Sequence, residues 1–598
     1  MRTPMRFPRV GVALIAAAFL ALPAAEASEP VKVLVNHVGY DTFGSKKLVV
    51  EVEGGASPVV FSVLDAAGKA VLDGTLHRAG AVDRWKSWQF YAGSFSALDK
   101  PGTYRVRVTG PGIDARSEPF EVRPKLLAEV CLSDLVFGVR SQRSAGEFDR
   151  ADRSVGFCDG RKDRVDVHGG WYDASGDVGK YLSHLGYANF MSPQQAPFVV
   201  WAFLEAAELV KNDPSVRLRS VAALLEDEAL YGADFLVRMQ DPAGYFYLSV
   251  VDSWSHDPKQ REICAFRMQE GYKLPDYQAG LREGGGVAIA ALARAGALKR
   301  DGEFSSGRYL AAAEKGFAHL QANNAKYIDD HTENIIDDYC ALLAAGELYN
   351  ATGKASYLEA ARARAQSLIA RLSRDEKFDG FFRADGEGTR PFFHAVEAGL
   401  PLVALARYAR LEKDPGRTRA VWEAVARSVA FELTVTGEVT NPFGYARQVV
   451  KDAGGDKRSS FFMPHRNETG YWWQGENARL ASLAAAAFLA SPGLPPDLAA
   501  KARAYAVDQI DWILGLNPFD VCMLQGRGRN AVDLLPETPN NPGGVCNGIT
   551  AGVADEHDID FLPPPYDADP NNNWRWSEQW LPHEAWLTLA LAAQAVAR

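Results

Sequence analysis

Between residues 30 and 125 the apolar positions come in short runs rich in Val, Phe and Tyr. VKVLVNHVGY, KKLVVEVEG, PVVFSVLD, KAVLDGTL, SWQFYAGSF, GTYRVRVTG and SEPFEV are broken by turn residues such as Gly54-Gly55 and Pro101-Gly102. About seven short strands in about a hundred residues predict an antiparallel β-sandwich over 29–125. From 126 onward the apolar spacing changes to three and four, the period of an amphipathic helix. PFVVWAFLEAAELVKN, GVAIAALARAGAL, DYCALLAAGELYNAT and ENARLASLAAAAFLA typify about eleven such segments, many joined by short turns. Helices of this kind cannot each bury a face alone, and no repeat of fixed period supports an open solenoid. The expectation is a closed all-α toroid of about twelve helices over 126–598. Between the helices lie long irregular stretches, 140–180, 241–275, 433–475 and 515–582. They hold most of the Trp, His and Gly, which suits the walls of a cleft better than disordered linkers.

The first residues have the form of an export signal over 1–28. MRTPMRFPR carries positive charge, GVALIAAAFLAL is apolar, and PAAEAS offers small residues for cleavage. The apolar run falls short of the ~20 residues that a spanning helix needs. The protein is therefore expected outside the cytoplasm, periplasmic or extracellular, and not membrane-bound once the signal is removed. The rest is too long for one ordinary core, which again argues for two domains. Net charge is −10 with the two signs interspersed. No basic stripe would neutralise a phosphate backbone, which excludes nucleic acid as an expected partner. An anionic polymer is disfavoured, and a neutral or cationic one is not. Six cysteines are few for this length, so packing rather than a disulfide framework must stabilise the fold. Cys522 and Cys546 bracket a loop and are candidates to pair in an oxidising compartment.

The chemistry concentrates in HGGWYDASGDVGKYLSH, residues 168–184. Asp173 and Asp177 flank Ala174, Ser175 and Gly176, so nothing bulky keeps substrate from either carboxylate. Trp171 and Tyr172 add aromatic surface of the kind on which sugar rings stack. The alternative is an acidic turn capping a helix near Val178. Two acids compete for a complementary role. Glu584, in NNNWRWSEQWLPHEAWLTLALA, opens the last helix among Trp576, Trp580 and Trp586; indole neighbours raise a carboxyl pKa by desolvation, against the pull of a helix N-terminus. Glu476, in PHRNETGYWWQGENARLASLA, stands beside Trp472 and Trp473, with His465 and Arg466 as hydrogen-bond donors for sugar hydroxyls.

From about residue 30 to the C-terminus the chain resembles glycoside hydrolase family 9, including the immunoglobulin-like domain that often precedes its catalytic module. Four segments carry the resemblance: VNHVGYDTFGSKKLVVE through FSALDKPGTYRV, GGWYDASGDVGKYL, WILGLNPFD and WSEQWLPHEAWLTLALA. The resemblance implies an (α/α)6 barrel with an open cleft and inverting hydrolysis of β-1,4-glycosidic bonds. It makes Asp177 the general base, Asp173 a second holder of the attacking water, and Glu584 the general acid, because the family's acid lies downstream of the Leu-Gly-x-Asn-Pro turn. Glu476 then takes a substrate-pocket role with Trp171, Tyr172, His465, Arg466, Trp472, Trp473 and Trp580. The familiar aspartate motif has two residues between its acids, and here there are three. That departure is similar to members that remove single sugars from chain ends, glucosidases and glucosaminidases among them.

Relatives with a structural zinc use two cysteines and two histidines. Ser144, Cys158-Asp159 and His168 do not restore that set, so zinc is not expected. Calcium needs only carboxylates and carbonyls, and the sequence places no site for it. No cofactor is required. The expected substrate is a cellulose-type β-glucan or its oligosaccharides, cleaved from an end; the alternatives are chitosan oligomers, with Glu476 holding the amino group, or a non-catalytic carbohydrate-binding protein.

Overall fold

The computed structural model describes residues 31–53, 57–184, 189–268 and 271–597; the export signal expected over 1–28 lies outside them. The chain opens with strands β1 (Val31–Leu34), β2 (Gly39–Asp41), β3 (Lys47–Val52), β4 (Val60–Asp65), β5 (Ala70–Thr75), β6 (His77–Gly80), β7 (Gln89–Ser94), β8 (Gly102–Gly110), β9 (Ile113–Arg116) and β10 (Phe120–Arg123). One sheet runs β1-β3-β7-β6; the other runs β2-β10-β8-β4-β5, with β9 on β8. The pairing is antiparallel except β2 with β10. Alternate residues Val50, Val52, Phe61, Val63, Val106 and Val108 meet between the sheets, as period-two patterning requires.

Helices follow: α1 (Leu126–Ser141), α2 (Gly146–Ala151), α3 (Ala196–Val210), α4 (Val216–Arg238), α5 (Gly286–Ala297), α6 (Ser306–Tyr327), α7 (Ile335–Thr352), α8 (Ala355–Ala370), α9 (Leu400–Leu411), α10 (Pro415–Thr436), α11 (Asn477–Ala490), α12 (Pro496–Ile513), α13 (Trp574–Ser577) and α14 (Leu581–Val596). Among the described residues six of them, α3, α5, α7, α9, α11 and α14, form an inner ring in which each packs on the next and α14 returns to α3. Around it α4, α6, α8, α10 and α12 pack on their preceding hairpin partners, and α1 covers α14. The result is an (α/α)6 barrel. Composition explains the layering: α5, α11 and α14 are buried over almost their whole length, whereas α6 and α8 bury one stripe. Helix α1, which the sequence reading did not single out, buries Leu127, Cys131, Leu132, Leu135 and Val139 on one face.

The sandwich docks on the barrel through Trp85, which is 1% exposed and packs on Phe461 and Trp512 at ring distances of 4.9 and 6.1 Å. Asn36 donates to Asp511 at 2.8 Å and Lys47 pairs with Asp508 at 2.6 Å across the same contact. Among the described residues no helix is long and apolar enough to cross a membrane. All six cysteines are free thiols, so Cys522 and Cys546 are unpaired despite their proximity in adjoining segments.

Candidate active site

The irregular stretches fold into small sheets at one end of the ring. Lys180–Tyr181 pairs with Ser249–Val251, which pairs with Glu262–Arg267, so no helix follows the acidic turn. Buried Lys180 and Arg261 share Asp152 at 2.6 and 2.5 Å, and Lys180 also donates to the carbonyls of Val167 and Gly169. This anchors both ends of the loop that carries the aspartates. Gly170 has φ +72°, and a Cβ there would fall 2.7 Å from the Phe235 ring, so glycine alone fits.

The decisive local feature is a short antiparallel zipper between the aspartate loop and the segment entering α14. Ser175 N–H donates to the Gln579 carbonyl at 2.8 Å, and Leu581 N–H donates to the Asp173 carbonyl at 3.0 Å. Gln579 N–H donates back to Ser175 Oγ at 3.0 Å, and Ala174 bridges Trp580. The barrel brings its first and last loops together, and the zipper sets their register. In that register Asp173, Asp177 and Glu578 line one cavity of about 660 Å³.

Asp177 Oδ1 accepts from the backbone N–H groups of Val178 and Gly179 at 2.5 and 2.8 Å, which fixes the carboxylate plane. Asp173 is 2% exposed. Burial, reinforced by the charges of Asp177 and Glu578, raises its proton affinity well above the usual carboxylate range. Its Oδ1 has no hydrogen-bond partner, and His184 Nδ1 lies 3.4 Å from its Oδ2. His184 stacks on Trp580 with ring centroids 5.4 Å apart, and burial drops its pKa to about 3, so the ring is neutral. Glu578 is raised to about 8 by burial and by the facing charge of Asp177, against a weak hydrogen bond from Asn547 at 3.3 Å. One acid that keeps its proton near neutrality thus lines the same cavity as Asp173 and Asp177, an arrangement open to acid–base chemistry.

Several expectations are corrected. Glu584 does not line the cavity: it sits in the first turn of α14, 3% exposed, where its Oε1 accepts from Val545 N–H at 2.8 Å. Burial raises its pKa to about 8, as its indole neighbours suggested, but it points into the wall behind the zipper. Glu476 is buried at the start of α11, paired with Arg479 and accepting from Gln448 and Met463; it is a structural ion pair. Trp171 is fully buried with Nε1 on Glu228 at 2.9 Å. Tyr172 lies outside the cavity, its hydroxyl beside Ala145. His465 and Trp473 stack on each other at 3.9 Å behind the wall, and Arg466 is exposed; none of the three lines the cavity. Trp472 and Trp580 do line it, packed edge to face at 5.8 Å. The cavity also takes Trp254, His256, Tyr471, Trp574 and Arg575, which residue order does not reveal because they stand in loops or in the one-turn helix α13, too short for periodicity to give a side chain a direction.

Comparison with known proteins shows the family and the fold. The sequence profile described as glycosyl hydrolase family 9 matches residues 132–536, and that of the cellulase N-terminal ig-like domain matches 28–112. The chain belongs to glycosyl hydrolase family 9. Among curated proteins, a cellodextrinase of Butyrivibrio fibrisolvens is 31% identical over 161 residues, 25% of this chain and 27% of that protein. Endoglucanase C of Cellulomonas fimi is 31% identical over 186 residues, 26% of this chain and 16% of its own length. The chain therefore spans about a quarter or less of these relatives. A metagenome-derived family 9 endoglucanase superposes with a TM-score of 0.66 at 20% identity, covering 95% of this chain and 99% of that one. A Bacteroides ovatus family 9 protein gives 0.64 at 20% identity with the same coverage; these likenesses are of fold. The family match stops before residue 578, so the choice between Glu578 and Glu584 rests on this family 9 chain's own geometry.

Proposed function

We propose that the protein is an exported, inverting hydrolase of β-1,4-glucosidic bonds in cello-oligosaccharides or cellulose-type glucans, acting from a chain end. The observation that carries this reading is that Asp177 and Glu578 line one cavity, on two segments held in register by the Ser175–Gln579 zipper. Glu578, protonated near neutral pH, delivers its proton to the glycosidic oxygen. Asp177 accepts a proton from a water on the opposite face of the sugar, and Asp173 fixes that water. Attack from the far side inverts the anomeric carbon, which requires the acids to be far enough apart to admit the water.

The cavity, about 660 Å³, falls in the range of sites that take a small ligand, which is compatible with action on chain ends. The names of the cellodextrinase and endoglucanase relatives favour a β-glucan. The chitosan alternative loses its expected carboxylate, because Glu476 is paired with Arg479 and does not line the cavity. Incubating the protein with cellohexaose and with chitosan hexamer, and following product lengths, tests the reading. Monomer first from cellohexaose is expected. Mixed lengths would replace the exo mode by an endo mode, and binding without turnover, equal to that of Asp177→Asn, would replace the enzyme by a binding protein.

A further inference from the structure

Arg575 stands in the cavity wall three residues before Glu578. Its Nη1 donates to the carbonyls of Tyr471 and Trp473 at 3.1 and 2.7 Å. Its guanidinium is held between two indoles, 4.2 Å from Trp473 and 4.6 Å from Trp574. Nε is buried without a partner, and no acidic side chain pairs with the group among the described residues. Burial lowers its pKa only to about 10, so it is a cation at neutral pH. The catalytic acids in the same cavity are not its partners: Asp177 and Glu578 are tied to Gly179 and Asn547. A fixed guanidinium in a half-buried wall, with carbonyl and indole neighbours but no anionic partner, is completed by an anion that meets its remaining N–H groups, and a carboxylate suits that role.

We propose that Arg575 reads a carboxylate on the glucan substrate, so that the protein prefers cello-oligosaccharides bearing an acidic unit over neutral ones. This rests on the β-glucan reading above. Two sources offer that chemistry: an aldonate at an oxidised reducing end, or a uronate oxidised at C6. The test compares cellotetraose, its aldonate and a C6-oxidised cellotetraose, by kcat/KM with the wild-type protein and by calorimetric titration of Asp177→Asn. One of the two acidic ligands is expected to be favoured roughly 10- to 100-fold, the range of a charge-assisted contact, with the preference shrinking as salt rises. Which ligand is favoured names the source. Arg575→Gln should pull the acidic-to-neutral ratio toward one, and Arg575→Lys should restore part of it. Equal losses on acidic and neutral substrates would mean that Arg575 only clamps the two carbonyls, and the proposal falls. No acidic preference in the wild-type protein also overturns it, while turnover of cellotetraose leaves the hydrolase reading intact. Preferential binding of an acidic ligand without turnover of any would sink the hydrolase reading and leave this one standing.

Discussion

Replacing Glu578 by Gln removes the proposed proton donor while keeping its shape. With the pKa of Glu578 at about 8, roughly nine-tenths of the free enzyme carries the proton at pH 7 and roughly one-tenth at pH 9. The wild-type kcat/KM on cellotetraose should therefore fall about tenfold between those pH values, because rising pH empties the acid. Glu578→Gln should lose a further factor of about 10²–10⁴ at pH 7, equivalent to roughly 3–5 kcal/mol of barrier, and its basic limb should vanish. An aryl β-cellobioside with an acidic phenol needs little protonation, so on that substrate the loss should shrink to a few-fold. The assay is initial-rate hydrolysis of both substrates from pH 5 to 10. Equal losses on both, or a basic limb that survives the substitution, would refute the assignment, as would the same pattern appearing in Glu584→Gln.

Two further substitutions probe the parts behind that acid. Glu584 is buried, and its folded pKa of about 8 lies above the ordinary glutamate value near 4.3. The folded state then binds the proton more tightly, so stability is fully present below pH ~4.3 and falls as pH rises toward about 8. Glu584→Gln should raise the melting temperature at pH 8, by roughly 1–3 kcal/mol of stability, and change little at pH 4, with hydrolysis retained; a thermal shift series with a parallel rate measurement checks both. Ser175→Ala strips the partner from Gln579 N–H, buried in the zipper. It should cost about 1–3 kcal/mol of stability and lower kcat more than it raises KM; an unchanged kcat would mean that the zipper does not set the register of the acids.

Much of this organisation is legible in residue order alone. The change from period two to period three-and-four near residue 125 is what separates β10 from α1, and the Asp173–Asp177 spacing marks the loop that lines the cavity. What residue order does not carry is the direction of a side chain once two distant segments meet. Glu578 and Glu584 both stand among tryptophans within seven residues. Only the cross-loop pairing of Ser175 with Gln579 turns the first into the cavity and leaves the second to cap Val545 N–H inside the wall. Trp171 reads as a sugar platform until Glu228, 57 residues further on, takes its indole N–H and buries it. Glu476 reads as a pocket acid until Arg479, one helical turn later, claims it. Arg575 and Trp254, by contrast, lie in a single helical turn and in a loop, both too short for any period to assign a face, so only the folded cleft reveals them.

The pairing of Asp177 with Glu578 across a sugar linkage is tested most directly by the configuration of the first product. Proton NMR of cellotetraose hydrolysis, recorded before mutarotation sets in, should show the α-anomer of the newly released end accumulating first. The β-anomer appearing first would mean that the acids work through a covalent sugar, with no water held between them.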